Sequence, residues 1–175
     1  IADNSAPFTE NVVIGKAGLT LRSRVGLTPK PIIQGTAADF GWALTATSPG
    51  VVVEDLELRA GSWGTAQVIA GDLTVRRCTA DATQSQGTLA PFNVYAATPA
   101  LALCLEDSQI LKGANWGLLI PATDCAVTLT RTRVHEVSGE AGIKLTGASH
   151  LTLEGCTVYN NAQSQLMVEK TANPA

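Results

Sequence analysis

Apolar and polar residues alternate along this chain in short runs, and the runs recur. The recurring phrase is apolar, x, apolar, x, x, small or apolar, x, then a position that is usually apolar. It begins at Val51 (VVVEDLEL), Leu73 (LTVRRCTA), Leu103 (LCLEDSQI), Val127 (VTLTRTRV) and Leu151 (LTLEGCTV), with a partial copy at Leu19. The starts are 22, 30, 24 and 24 residues apart. A shorter alternation precedes each full copy: WALT at 42–45, AQVIA at 66–70, NVYAA at 93–97, GLLI at 117–120 and GIKL at 142–145. QLMV at 165–168 closes the series. Period-two alternation over runs this short predicts β-strands, and the Gly, Asn, Asp, Ser and Thr residues between them predict corners. No run has the helical period. One such unit cannot bury its apolar side chains alone, whereas units stacked at the strand spacing bury them as columns. The pattern therefore predicts a parallel β-solenoid.

Alignment of the copies turns the sequence into lateral neighbours. The sixth position of the phrase reads Leu56, Cys78, Ser108, Thr132, Cys156, a mostly small interior column. The fourth reads Glu54, Arg76, Glu106, Thr130, Glu154 and the fifth Asp55, Arg77, Asp107, Arg131, Gly155. Like charges stacked in register would repel, so alternating signs are expected to form cross-coil pairs. At the corner before the shorter strand the alignment gives Phe40, Trp63, Phe92, Trp116, Ala141 and Ser164, four aromatics in consecutive coils. The outward positions of that strand are expected to be Thr45, Gln67, Tyr95, Leu119, Lys144 and Met167.

The stretch AGIKLTGASHLTLEGCTVYNN resembles the parallel β-helix repeat of the pectin-lyase-like superfamily, and TENVVIGKAGLTLRS, residues 9–23, resembles the opening segment of many secreted members. The resemblance covers nearly the whole chain. It implies an all-β, single-stranded, right-handed parallel β-helix of six to seven coils, in one domain over residues 1–175. Residues 1–39 are expected to form the entry coil, 40–170 the repeat coils and 171–175 a tail, as a whole protein or as a part of a larger one. The superfamily holds lyases, hydrolases, tailspikes, adhesins and non-catalytic repeats, so the fold leaves the activity open.

Composition narrows the choice. The chain has 175 residues, 45% hydrophobic and 15% charged, with net charge −3. That length fits one domain with a sizeable core, and the charge excludes a nucleic-acid footprint. No apolar run approaches the length of a membrane span. The four cysteines, Cys78, Cys104, Cys125 and Cys156, have neither metal-ligand spacing nor disulfide geometry. Cys78 and Cys156 lie three coils apart, about 14 Å at strand spacing. Free thiols are expected, with no metal and no cofactor.

Candidate chemistry is sparse. Polygalacturonases resemble this chain around Asn161, where their pattern continues with an Asp pair; here Gln163, Ser164 and Gln165 follow. One coil earlier stand Glu140, Lys144 and His135. In an enzyme these would act as acid or base, substrate-carboxylate ligand and proton carrier, respectively. A carbohydrate-binding module would instead use Trp63, Phe92, Tyr95, Trp116 and Lys144, the rings as stacking surfaces for sugars. The expected function is a secreted or cell-surface module with a carbohydrate-associated binding or structural role and no catalysis of its own. The partner is a polysaccharide or another protein subunit. A lyase or hydrolase acting on acidic polysaccharide is the second reading, and a subunit stacked within a larger assembly is the third.

Overall fold

Short alternating strands joined by tight corners can satisfy their backbone groups only by pairing with the coil above and below. The computed structural model shows this arrangement over residues 6–24, 27–37, 41–83, 92–94, 102–121, 124–146 and 149–169, the residues described here. The first six strands are β1 (Phe8–Thr9), β2 (Val12–Ile14), β3 (Thr20–Arg22), β4 (Ile32–Gln34), β5 (Trp42–Ala46) and β6 (Val51–Glu54). Next come β7 (Glu57–Arg59), β8 (Gly64–Val68), β9 (Asp72–Arg76), β10 (Thr79–Asp81), β11 (Phe92–Val94), β12 (Ala102–Glu106) and β13 (Gln109–Leu111). The last are β14 (Trp116–Ile120), β15 (Ala126–Thr130), β16 (Arg133–His135), β17 (Ala141–Thr146), β18 (His150–Glu154), β19 (Thr157–Tyr159) and β20 (Ser164–Glu169). Every third strand joins the same parallel sheet. Sheet 1 runs β1 to β19, sheet 2 runs β2 to β20 and sheet 3 runs β3 to β18, with seven, seven and six strands. The chain is a parallel β-solenoid.

The interior is the set of columns that the repeat predicts. Leu21, Val53, Val75, Leu105, Leu129 and Leu153 are stacked in register in sheet 3. Ile33, Leu58, Ala80, Ile110, Val134 and Val158 do the same in sheet 1. From Val53 to Leu129, and from Ile33 to Val134, these side chains are fully buried. The last coil is different. Leu153, Leu166 and Val168 are 39%, 46% and 62% exposed, because β18, β19 and β20 have a neighbour on one edge only among the described residues.

The corner from sheet 3 to sheet 1 turns on one residue with left-handed backbone. Asp55, Arg77, Asp107, Arg131 and Gly155 have φ of 57°, 51°, 50°, 48° and 60°. This is the fifth column of the repeat, and its charges pair across coils as its signs predict. Arg77 donates two hydrogen bonds to Asp55, at 2.8 and 2.9 Å, and Arg131 two to Asp107, at 2.6 and 2.8 Å. In the fourth column Arg76 lies 2.9 Å from Glu106 and 3.6 Å from Glu54. Arg77, by its hydrogen bonds, holds the Asp55 carboxyl below its ordinary range, and Asp107 is lowered in the same way by Arg131.

Left-handed backbone costs a non-glycine residue about 1–2 kcal/mol, and an exposed ion pair returns at most about 1. Arg77→Gly is therefore expected to stay within about 1 kcal/mol of the parent in urea melts. Arg77→Val, which loses the pair and crowds the same backbone, should fall by about 2 kcal/mol. A valine variant as stable as the glycine variant would show that the corner is not strained.

All four cysteines are free thiols, as the column geometry requires. Burial pushes Cys78 and Cys125 up to about 11, and Cys104 is raised as well.

Candidate functional site

Lys144 occupies the outward register of β17, between Leu119 of β14 and Met167 of β20. Its ammonium lies 2.9 Å from Glu140 Oε2, 2.9 Å from Glu169 Oε1 and 5.3 Å from the centroid of the Trp116 ring. Trp116 Nε1 donates to the same Glu140 oxygen at 2.6 Å. Three of the residues singled out from sequence, Trp116, Glu140 and Lys144, thus meet in one cluster that Glu169 completes. Lys144 is only 9% exposed.

The electrostatics of this cluster run against acid–base chemistry. Hydrogen bonds from Lys144 and Trp116 hold the Glu140 carboxyl below its ordinary range, and the bond to Glu140 raises the Lys144 ammonium above its own. A general acid needs its carboxyl raised and a lysine base needs its ammonium lowered. Both groups here are fixed in their charged forms, each satisfied by the other. The cluster is a strut between three coils in which one ammonium is shared by two carboxylates.

His135 does not join it. It ends β16 in sheet 1, where Nδ1 lies 3.2 Å from Glu136 Oε1 and the ring stacks on Tyr159 at 5.0 Å and 15°. Residues 136–140 turn the chain out of sheet 1 before Lys144 enters sheet 2, so closeness in sequence does not become closeness in space.

The aromatic column is corrected by the register. Trp116 aligns with Ala141, but Phe92 aligns with Ala66 and Leu118, two positions further into the strand. Gly64, not Trp63, stands beside Trp42, which is buried. Asn93 rather than Tyr95 occupies the outward column with Gln67 and Leu119. The displacement of Phe92 comes from the long connection 82–91, which contains no periodic position to anchor the count. Trp63 and Trp116 are half-buried, and one face of the Trp116 ring lies under the Lys144 ammonium. Phe40, Tyr95, residues 84–91 and the 171–175 tail lie outside the described residues, and Phe92 is described by its strand pairing alone.

A second region escaped the sequence reading altogether. The last residues of the sheet 1 strands form a column across coils: Thr9, Gln34, Arg59, Asp81, Leu111, His135 and Tyr159. Two adjoining depressions of about 270 and 380 Å³ lie along it and share Gln34. The larger is lined by Gln34, Arg59, Asp81, Thr83 and Lys112. Gln34 to Leu111 spans three rungs, roughly 14 Å. Arg59 donates to Glu57 at 2.6 Å, and Asp81 accepts the Thr83 backbone N–H at 2.9 Å. Lys112 is exposed, and among the described residues its ammonium has no partner. It sits at φ 59°, at the corner where Glu136 and Asn160 adopt the same left-handed turn in the next two coils. No sequence motif marks this groove, because its members come one from each coil.

Among the described residues no three His, Cys, Asp or Glu side chains are placed to hold a metal ion, and no helix is long and apolar enough to cross a membrane. Comparison with protein-family models, with curated proteins and with solved structures finds no match for this chain. The class that the fold defines is a parallel β-solenoid built from a repeat of about 24 residues, reading the two equal intervals of the later coils.

Proposed function

We propose that this β-solenoid is a non-catalytic, secreted or cell-surface module that binds an acidic polysaccharide along the groove of sheet 1. The observation that carries the reading is the Lys112 ammonium, without a partner among the described residues, in a groove otherwise lined by Gln34, Arg59, Asp81 and Thr83. Amide, hydroxyl and guanidinium groups suit sugar hydroxyls, and a cation without a partner suits a uronate carboxylate. The Tyr159 ring, stacked on the buried His135, continues the same column and is exposed to offer an apolar surface to a sugar. Among the described residues Asp81 is the one carboxylate lining the groove, whereas hydrolysis needs two. Raised thiols at Cys78, Cys104 and Cys125 keep thiolate scarce, which suits an oxidising exterior.

The test is calorimetric titration with a polyuronate and with a neutral glucan of equal length. The polyuronate should bind and the glucan should bind far more weakly. Lys112→Gln, which removes the charge and keeps an unbranched polar side chain at the turn, should reduce polyuronate affinity about tenfold, the loss of one charge-assisted hydrogen bond. Lys144→Gln should leave it unchanged. Equal binding of both polymers, or indifference to Lys112→Gln, would sink the proposal.

A further inference from the structure

Opposite charges one rung apart behave differently in the two polar columns of this solenoid. In sheet 3, Arg76 pairs with Glu106 and Arg77 with Asp55, each across one rung. In the sheet 1 groove Arg59 and Asp81 are also one rung apart in register, yet among the described residues no ion pair joins them. Each is held within its own coil instead. Arg59 Nε donates to Glu57 at 2.6 Å, and Asp81 Oδ1 accepts both the Thr83 backbone N–H, at 2.9 Å, and the Thr83 hydroxyl. Gln34, one rung before Arg59, donates from its amide Nε2 to the Ala60 carbonyl at 2.6 Å. Among the described residues this leaves Gln34 Oε1, the Arg59 Nη groups, Asp81 Oδ2 and Lys112 Nζ without partners. In order of rungs they read acceptor, cation, acceptor, cation.

From this alternation we infer that the groove is built for a chain in which a uronate alternates with an N-acetylated amino sugar. The inference rests on the polyuronate reading of the groove and names the chain more closely. An extended pyranose chain advances by close to one strand spacing per unit, so successive sugars meet successive rungs. A carboxylate on every second sugar then meets Arg59 and Lys112, which stand two rungs apart. The sugars between them meet Gln34 and Asp81, whose open oxygens need donors, and an acetamido N–H is a donor in a fixed place. The smaller depression fits the rest of that group. It opens beside Gln34, holds about 270 Å³ and is walled by Gly35, Ala37, Ala60 and Gly61, with the hydroxyl residues Thr9 and Ser62 and no charged residue among the described ones. Small apolar walls suit the acetyl methyl, and a hydroxyl suits its carbonyl. A chain of uronates alone would leave this space unfilled and would set a carboxylate against Asp81, where like charges repel.

The experiment is calorimetric titration of the full chain with three octasaccharides: glucuronate alternating with N-acetylglucosamine, uronate alone, and a neutral glucan. The alternating chain carries half the charge of the uronate chain and should nevertheless bind about tenfold tighter. A groove that responds to charge alone gives the opposite order. Ala37→Leu, at an exposed position in the wall, fills the smaller depression and should abolish the preference. Asp81→Asn keeps an acceptor for Thr83 and removes the repulsion, so it should narrow the preference by strengthening the uronate chain. Far-ultraviolet circular dichroism of both variants separates a failed fold from a failed contact. A uronate chain that binds as tightly as the alternating one, or more tightly, overturns the inference and leaves the groove reading in place. A preference that both folded variants retain does the same. If neither acidic chain binds better than the glucan, the groove reading falls and the inference falls with it.

Discussion

Gly61→Ala is expected to cost about 3 kcal/mol of unfolding free energy, the upper end of what an added methyl group does in a packed interior. A Cβ at position 61 would lie 2.5 Å from the carbonyl oxygens of both Thr36 and Gly41. Those two oxygens are already engaged. The Thr36 oxygen accepts the Ser62 N–H at 3.1 Å, and the Gly41 oxygen accepts the Trp63 N–H at 3.1 Å. Relief of the clash must therefore lengthen the hydrogen bonds that join one coil to the next at this corner, so steric and hydrogen-bond losses add. The obstacles are backbone atoms, which cannot rotate away as a side chain can. Gly15→Ala is the control: its nearest obstacle is Thr47 Oγ1 at 3.5 Å, an ordinary contact. Reduced freedom of the unfolded chain should make that change neutral or slightly stabilising. Urea melts of the two variants decide the matter. If Gly61→Ala melts with the parent, the corners between sheet 1 and sheet 2 are looser than this packing describes.

The corner glycines also mark where the sequence stops being informative. Columns inside strands are legible because side-chain direction alternates with period two, so Leu105 can be placed beside Val75 and Leu129 by counting alone. The charge pairs of Arg76 and Arg77 are legible for the same reason. Corners have no period. Left-handed backbone at Arg77, Arg131 and Lys112 carries no residue signal, because arginine and lysine are not turn residues; only Asp55, Asp107, Asn160 and Gly155 hint at it. The two-residue displacement of Phe92 has the same origin, and it dissolved the aromatic column that sequence alignment suggested.

The groove was hidden for a further reason. Gln34, Arg59, Asp81 and Lys112 are separated by 25, 22 and 31 positions in a chain whose copies are themselves unevenly spaced. Each residue looks like an ordinary polar strand end in its own coil, and only the stack makes them neighbours. The Glu140 and Lys144 pair was visible because the two lie four residues apart in one coil, yet its partners Trp116 and Glu169 come from the coils on either side. Those neighbours convert an apparent acid–base pair into a strut. In a solenoid the chemistry of a position is set across coils, so a motif read along the chain shows half of its environment.

Leu105→Ala is expected to destabilise the protein by about 3 kcal/mol, within the range for truncating a buried leucine, whereas Leu153→Ala should cost about 1 kcal/mol. The two residues belong to one column and make the same kind of contact, so their difference isolates position in the stack. Leu105 is fully buried between Val75 and Leu129. Its strand is hydrogen-bonded on both edges, so the walls cannot collapse into the space that the truncation leaves. Leu153 has a neighbouring coil on one side and is 39% exposed, so its truncation loses less burial and leaves no closed cavity. A central coil also transmits stability between the coils on either side of it, because each repeat contacts only its neighbours. The transition of Leu105→Ala should accordingly broaden as the two ends begin to melt separately. Equal costs at the two positions would mean that the last coil is as well covered as the middle one.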